Sequence, residues 1–145
     1  SWAELEAALP AFARRVRAVF DAHKHKTLAT LRRDGSPRIS GVEMEFADGD
    51  VVIGMMLGSV KVGDLELDPR LAVHSGTEET PSEDPSSWTG DAKIAGRALA
   101  MAEEKFNRFR IDITEVVLIR VGRPADHLVI ESWHPDRGLT RRKRY

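Results

Sequence analysis

Apolar and polar residues alternate with a period that changes along this chain, and the changes mark out its elements. Leu5, Leu9, Phe12, Val16, Val19 and Phe20 recur at helical spacing with Arg14, Arg15 and Arg17 on other faces, so residues 3 to 22 read as an amphipathic helix. Pro10 carries no amide donor and splits it, so the ordered helix is expected to start there after a looser turn. From Thr27 the period becomes two. Thr27–Arg32 and Arg38–Phe46 alternate and are joined by Asp34-Gly35-Ser36-Pro37, a hairpin signature. Asp48-Gly49-Asp50 then turns the chain into Val51–Met56, which predicts a three-stranded meander.

Ser59 suits an N-cap, Val60–Asp68 can make two helical turns, and Pro69 favours an extended residue before it. A short helix therefore leads to a strand at Leu71–Ser75. Residues 76 to 90, rich in Gly, Glu, Pro, Ser and Asp, form the long loop, and its length points to a lid or pocket wall. Ala92–Ala102, Ile113–Val121 and His127–Trp133 read as strands, the last two joined by a turn at Gly122-Arg123-Pro124, and Glu103–Arg110 is expected to form one more helix. Six or seven antiparallel strands with few helices avoid exposed edges by closing, which predicts a mainly β fold built as a small barrel.

At 145 residues the chain is expected to be a single domain over 1–145, with a helical segment at 1–22 and a basic tail at 136–145. A formal charge of −1 argues against a nucleic-acid partner, which needs a broad basic surface. Charge is uneven all the same. Arg137, Arg141, Arg142, Lys143 and Arg144 stand in the last nine residues, whereas Glu78, Glu79, Glu83 and Asp84 make an acidic loop. The tail reads either as a loose solvated end or as a contact for an anionic ligand. The absence of cysteine excludes disulfides, thiolate metal sites and a cysteine nucleophile. No apolar run approaches about 18 residues, and no signal-peptide pattern is visible, so the expectation is a soluble cytoplasmic protein with no membrane partner.

Candidate chemistry gathers where the third strand ends. Leu57-Gly58-Ser59-Val60-Lys61 leads from that strand into a helix N-terminus, placing backbone amides, a hydroxyl and an ammonium together as a cup for a phosphate. Arg38 on the preceding hairpin is a second cation for it, and Arg38 and Ser40, two apart, share one face of their strand. An ordinary N-cap and a surface lysine are the alternative for Ser59 and Lys61. The spacing rules out a P-loop, which needs four residues between its glycines and Lys-Ser/Thr directly after the second, and no dinucleotide fingerprint or Gly-x-Ser-x-Gly elbow is present. Glu43 and Glu45 lie on one strand face and read as solvent-facing. His23-x-His25 lacks a third ligand at useful spacing, so no metal is expected.

The segments Leu28–Phe46 and Ile53–Arg70 resemble those of the pyridoxamine 5'-phosphate oxidase-like, or flavin/deazaflavin oxidoreductase, split-barrel family over roughly residues 24 to 135. The family turn Asn-Leu-Gly-Ser-Arg-Lys-Ala aligns with Met56-Leu57-Gly58-Ser59-Val60-Lys61-Val62, preceded by Gly54 and Met55; Val60 stands where the family has Arg. The resemblance implies an FMN-binding split β-barrel working as a homodimeric oxidoreductase on a small-molecule substrate. Arg38, Ser59 and Lys61 would surround the phosphate, with backbone near Ser40 and Met55 along the ring. It also implies that Trp133 lies beside the ring and that Arg137 or Arg141 reaches a phosphate or anionic substrate from the partner subunit, with Trp88, Trp133 and the long loop excluding water. The lost cation at Val60 leaves the deazaflavin F420 as the alternative cofactor. A non-catalytic flavin- or haem-binding protein is the alternative role.

Overall fold

The computed structural model describes residues 1–102 and 105–145. Two helices, α1 (Trp2–Ala8) and α2 (Pro10–Asp21), precede the strands β1 (His25–Leu31), β2 (Pro37–Ala47) and β3 (Asp50–Met55). Helix α3 (Val60–Leu67) follows, then β4 (Arg70–His74), a 3-10 turn at Pro85–Ser87, β5 (Asp91–Met101), β6 (Asn107–Val121), β7 (Leu128–His134) and β8 (Gly138–Arg144). The strands are antiparallel neighbours in the order β3-β2-β1-β4-β5-β6-β7-β8, and β3 pairs also with β6, so the first six close into a barrel and β7 and β8 extend it.

The helical segment breaks where Pro10 predicts, since Leu9 leaves helical geometry and Pro10 opens α2, but the residues before it form the capped helix α1 and not the looser turn expected. Trp2, Leu5, Phe12, Val16 and Phe20 are buried with Met44, Ile53, Ile94 and Ile111 in one core, and Phe46 receives Trp2 at a ring separation of 4.6 Å. The helices thus add aromatic bulk to a barrel whose own interior is mainly Val, Ile, Leu and Ala. Gly96 sits at the β5 irregularity, where a Cβ would lie 2.2 Å from the Asp112 carbonyl oxygen; only glycine permits this approach.

Three expectations change in the folded chain. The helix predicted over 103–110 does not form: Asn107–Arg110 already belongs to β6, paired with both β3 and β5, and the rest of that prediction includes Glu103 and Glu104, outside the described residues. From Arg108 to Asp112 the burial alternates with period two, and closure of the barrel needs a strand here. The basic tail is no loose end, since β8 pairs with β7 over its whole length. Loop 76–90 lies against β6 and is held by a hydrogen bond from Trp88 Nε1 to the Glu78 carbonyl at 2.9 Å.

Glu131 explains the tail. Its side chain is fully buried on β7, where Arg15 Nη2 of α2 and Arg141 Nη2 of β8 both donate to Oε2 at 3.0 Å, and Arg120 Nε of β6 lies 3.8 Å from Oε1. Burial alone would raise this carboxyl, but the hydrogen bonds from Arg15 and Arg141 outweigh it and hold the group below its ordinary value of 4.5. A carboxylate whose folded pKa is depressed adds stability above the ordinary value and loses it as pH falls through the folded one. The double variant Arg15→Ala/Arg141→Ala, which removes both hydrogen-bond donors and leaves the buried charge to Arg120 at 3.8 Å, is expected to lose about 3 kcal/mol. Adding Glu131→Met should recover most of it and flatten the acid limb of a pH series of thermal melts. An unchanged melting temperature in the double variant would remove Glu131 as the anchor of β8.

Candidate functional site

A groove of about 990 Å³ runs over the outer face of β1, β2, β3 and the start of β6, bordered by the end of α2 and the first turn of α3. Its floor follows from strand register. His25 pairs with Glu43, Glu43 with Gly54 and Gly54 with Arg108, so these four residues form one row across four strands on the outward side. At a strand spacing near 4.8 Å the row spans roughly 14 Å. Gly54 carries no side chain, and neither does Gly41 on β2, which has nothing within 4 Å of its Cβ position. The result is a strip of bare backbone between charged posts.

Most of those posts are already paired. Lys24 Nζ lies 3.5 Å from Glu43, and Arg108 pairs with Glu45. Lys26 is buried and donates to the His23 and Lys24 carbonyls at 2.5 and 3.1 Å, fixing the segment that enters β1. Burial lowers the Lys26 ammonium from its ordinary value, with Asp21 and Glu43 opposing that effect. Of the four lysine and arginine side chains lining the groove, Lys61 is the one that makes no hydrogen bond or ion pair among the described residues.

Ser59 takes the N-cap position of α3, but its hydroxyl makes no capping bond; Oγ is buried and without a partner. The turn before it is held by Gly58, at a φ of +70° that favours glycine, whose amide donates to Asn107 Oδ1 at 3.3 Å. The orphan hydroxyl and the first amides of α3 thus belong to the same turn of chain as the unpaired Lys61; Lys61 lines the groove, whereas Ser59 is not among its lining residues.

Not every residue expected to share a cup with Lys61 lies in the groove. Arg38 Nε donates to Asp64 Oδ2 at 2.7 Å, and the Thr30 hydroxyl donates to the same oxygen at 2.8 Å. Burial would raise Asp64, but Arg38 and Thr30 hold it below the ordinary carboxylate range. Arg38 thus pins α3 to the barrel. It lines a separate cleft with Arg32, Val60 and Leu67, so the cup expected from Arg38 and Lys61 together is not assembled from both side chains. Val60 is exposed on that same side. Ser40 pairs with the buried Leu28 and does not line the groove, whereas Gly54, Met55 and Met56 do, Met55 with its side chain in the core.

Trp133 is 7 % exposed and belongs to the core, Arg141 is held by Glu131, and Arg137 stands at the surface in the turn before β8; none of them lines the groove. Trp88 and the long loop are also absent from its walls. Sequence reasoning missed Gly41, Phe106 and Arg108, weighed His25 only as a metal ligand, and treated Glu43 and Glu45 as plain surface. Only the pairing of β1 with β2 and of β3 with β6 makes neighbours of them.

The architecture has known counterparts. A pyridoxamine 5'-phosphate oxidase-related, FMN-binding protein from Nostoc punctiforme superposes with a TM-score of 0.65 at 11 % identity, covering 97 % of this chain and 96 % of that one. This is the fold of the pyridoxamine 5'-phosphate oxidase-like split barrels. Similar too are PhzG from Burkholderia lata, solved with tetrahydrophenazine-1-carboxylic acid (0.64, 12 %, covering 95 % and 88 %), and a haem-binding protein from Mycobacterium smegmatis (0.59, 14 %, covering 90 % and 86 %). No protein-family model and no curated protein matches the sequence. At these identities the split-barrel likeness establishes the fold, and the residues of the groove carry any functional argument.

With Arg38 assigned to Asp64, Arg38→Ala is expected to leave the Asp64 carboxylate underpaired and to cost about 2 to 4 kcal/mol of stability. Its effect on ligand affinity, measured under conditions where the variant is folded, should be small beside that of Lys61→Ala. Urea unfolding and a ligand titration on the same two variants check the division of labour; equal losses of affinity would return Arg38 to the anion site.

Proposed function

We propose that this protein binds FMN in the groove and acts as a flavin-dependent oxidoreductase on a small organic substrate, as a homodimer of the split-barrel family. The observation that carries the reading is the unpaired Lys61, which lines the groove two residues after Ser59, whose buried hydroxyl has no partner. A buried polar atom without a partner and a cation without a counter-charge, on one helix turn, fit a phosphate monoester. Lys61, Ser59 and the first amides of α3 would hold that phosphate, and the bare strip at Gly41 and Gly54 would admit a flat ring. Bound there, FMN supplies hydride transfer, while the chain binds it, orients it and limits water.

Support for the dimer comes from the apolar rim. Met56 is 78 % and Phe106 53 % exposed, and both line the groove. Leu57 beside them is exposed as well, so a second copy covering this rim would close the site and bury apolar surface. F420, as a flavin relative, fits the same cup, which has one cation fewer than the family turn. A haem-storing role is the second reading, favoured by the Mycobacterium smegmatis neighbour and by HutZ, the haem storage protein of Vibrio cholerae, at a TM-score of 0.54. No helix among the described residues is long and apolar enough to cross a membrane.

Absorption spectra of the protein mixed with FMN, F420 or haem separate the readings, with FMN expected to bind. Lys61→Ala should weaken FMN by about 1.5 to 3 kcal/mol in a fluorescence titration; unchanged affinity would discard the phosphate site. Light scattering should give about twice the 16.2 kDa chain mass, falling to one chain for Met56→Glu/Phe106→Glu. A wild-type monomer at micromolar concentration would end the shared-site reading.

A further inference from the structure

His25 stands apart from the other histidines. Among the described residues the side chains of His23, His74, His127 and His134 bond Glu78, the Ser75 carbonyl, Asp126 and Glu115, while the His25 side chain makes no hydrogen bond. It lines the groove on the first residue of β1, exposed, with its backbone fixed by pairing to β2 and its flank tied down by Lys26. Glu43 faces it across the strand pair but is held by Lys24. An imidazole so placed has a defined position and an unused donor and acceptor.

The second unpartnered group, Lys61, follows the end of β3, two strands away from β1 in the sheet order, and the bare positions Gly41 and Gly54 lie on β2 and β3. Two strand spacings are roughly 10 Å. The groove therefore has two unused polar grips on separate walls and backbone between them. A ligand with a phosphate at one end and a flat, carbonyl-bearing ring at the other matches that order.

We propose that His25 grips the ring end of the bound ligand, an imidazole N–H donating to a carbonyl oxygen on the ring edge remote from the phosphate. The assignment rests on the flavin reading above and extends it to a residue that recognises the ring. His25 is then a binding residue that sets ligand orientation and discriminates flat carbonyl-bearing rings from other phosphomonoesters.

Riboflavin, which lacks the phosphate, separates the two grips. His25→Ala is expected to weaken FMN and riboflavin alike, by about three- to tenfold, with an unchanged thermal melt because the side chain is exposed. Lys61→Ala should weaken FMN alone. In protein carrying ¹⁵N-labelled histidine, FMN should move the imidazole signals of His25 and leave those of His74 and His127 in place. Undiminished binding of both flavins by His25→Ala overturns the proposal, as do unmoved His25 signals in protein that fluorescence shows to be loaded. A loss confined to FMN would also overturn it, by placing His25 at the phosphate. If Lys61→Ala keeps full FMN affinity while His25→Ala weakens both flavins, the phosphate assignment fails and His25 stands. If neither flavin binds the wild type, the flavin reading fails and His25 loses its ligand with it.

Discussion

Pairing of β3 with β6 is the constraint on which the rest of this molecule depends. Without it the strands would form an open sheet with β3 as a bare edge; with it, six strands close and, among the described residues, β8 is the strand left with an unpaired side. The same contact sets Gly54 beside Arg108 and completes the row that starts at His25. It also brings Asn107 within reach of Gly58, whose amide it accepts, so the closing strand holds the turn that aims the start of α3 at the groove. Fold closure and site construction are one event here. A one-residue slip in the pairing of β3 with β6 would turn the Gly54 and Arg108 positions to opposite faces and break the row.

Charge follows a second rule: the buried carboxylates Asp64 and Glu131 are each matched by partners on other elements. Asp64 joins α3 to β1 and β2 through Thr30 and Arg38, and Glu131 joins β7 to α2 and β8 through Arg15 and Arg141. Such groups are expensive to strand inside a protein, so their pairing is what folding requires and carries no sign of ligand chemistry. Against that background the unpartnered groups of the groove stand out. Lys61 and His25 line a cavity floored by glycine with their hydrogen-bonding capacity unused, and the orphaned Ser59 hydroxyl lies buried at the start of the same helix as Lys61. In the flavin proposal these groups would take the two polar ends of one ligand, Lys61 the phosphate and His25 the ring.

The sequence by itself determined the local elements: the split helix at Pro10, the hairpin at Asp34–Pro37, the turn into α3 and the strands with clean alternation. Each depends on residues a few positions apart, where backbone restriction and side-chain period act directly. It also marked the Ser59–Lys61 turn as a phosphate candidate, because a helix N-terminus with a hydroxyl and an ammonium is a local construction. Tertiary structure alone decided the rest. Asn107–Arg110 became a strand because two neighbours needed a partner there; Arg38 went to Asp64 and Arg141 to Glu131 because a buried carboxylate attracts the nearest guanidinium, whatever the spacing along the chain. Trp133 entered the core for the area it buries. His25, Gly41, Gly54 and Arg108 are neighbours only through strand register, a long-range choice made by core packing, and no short window of sequence contains it.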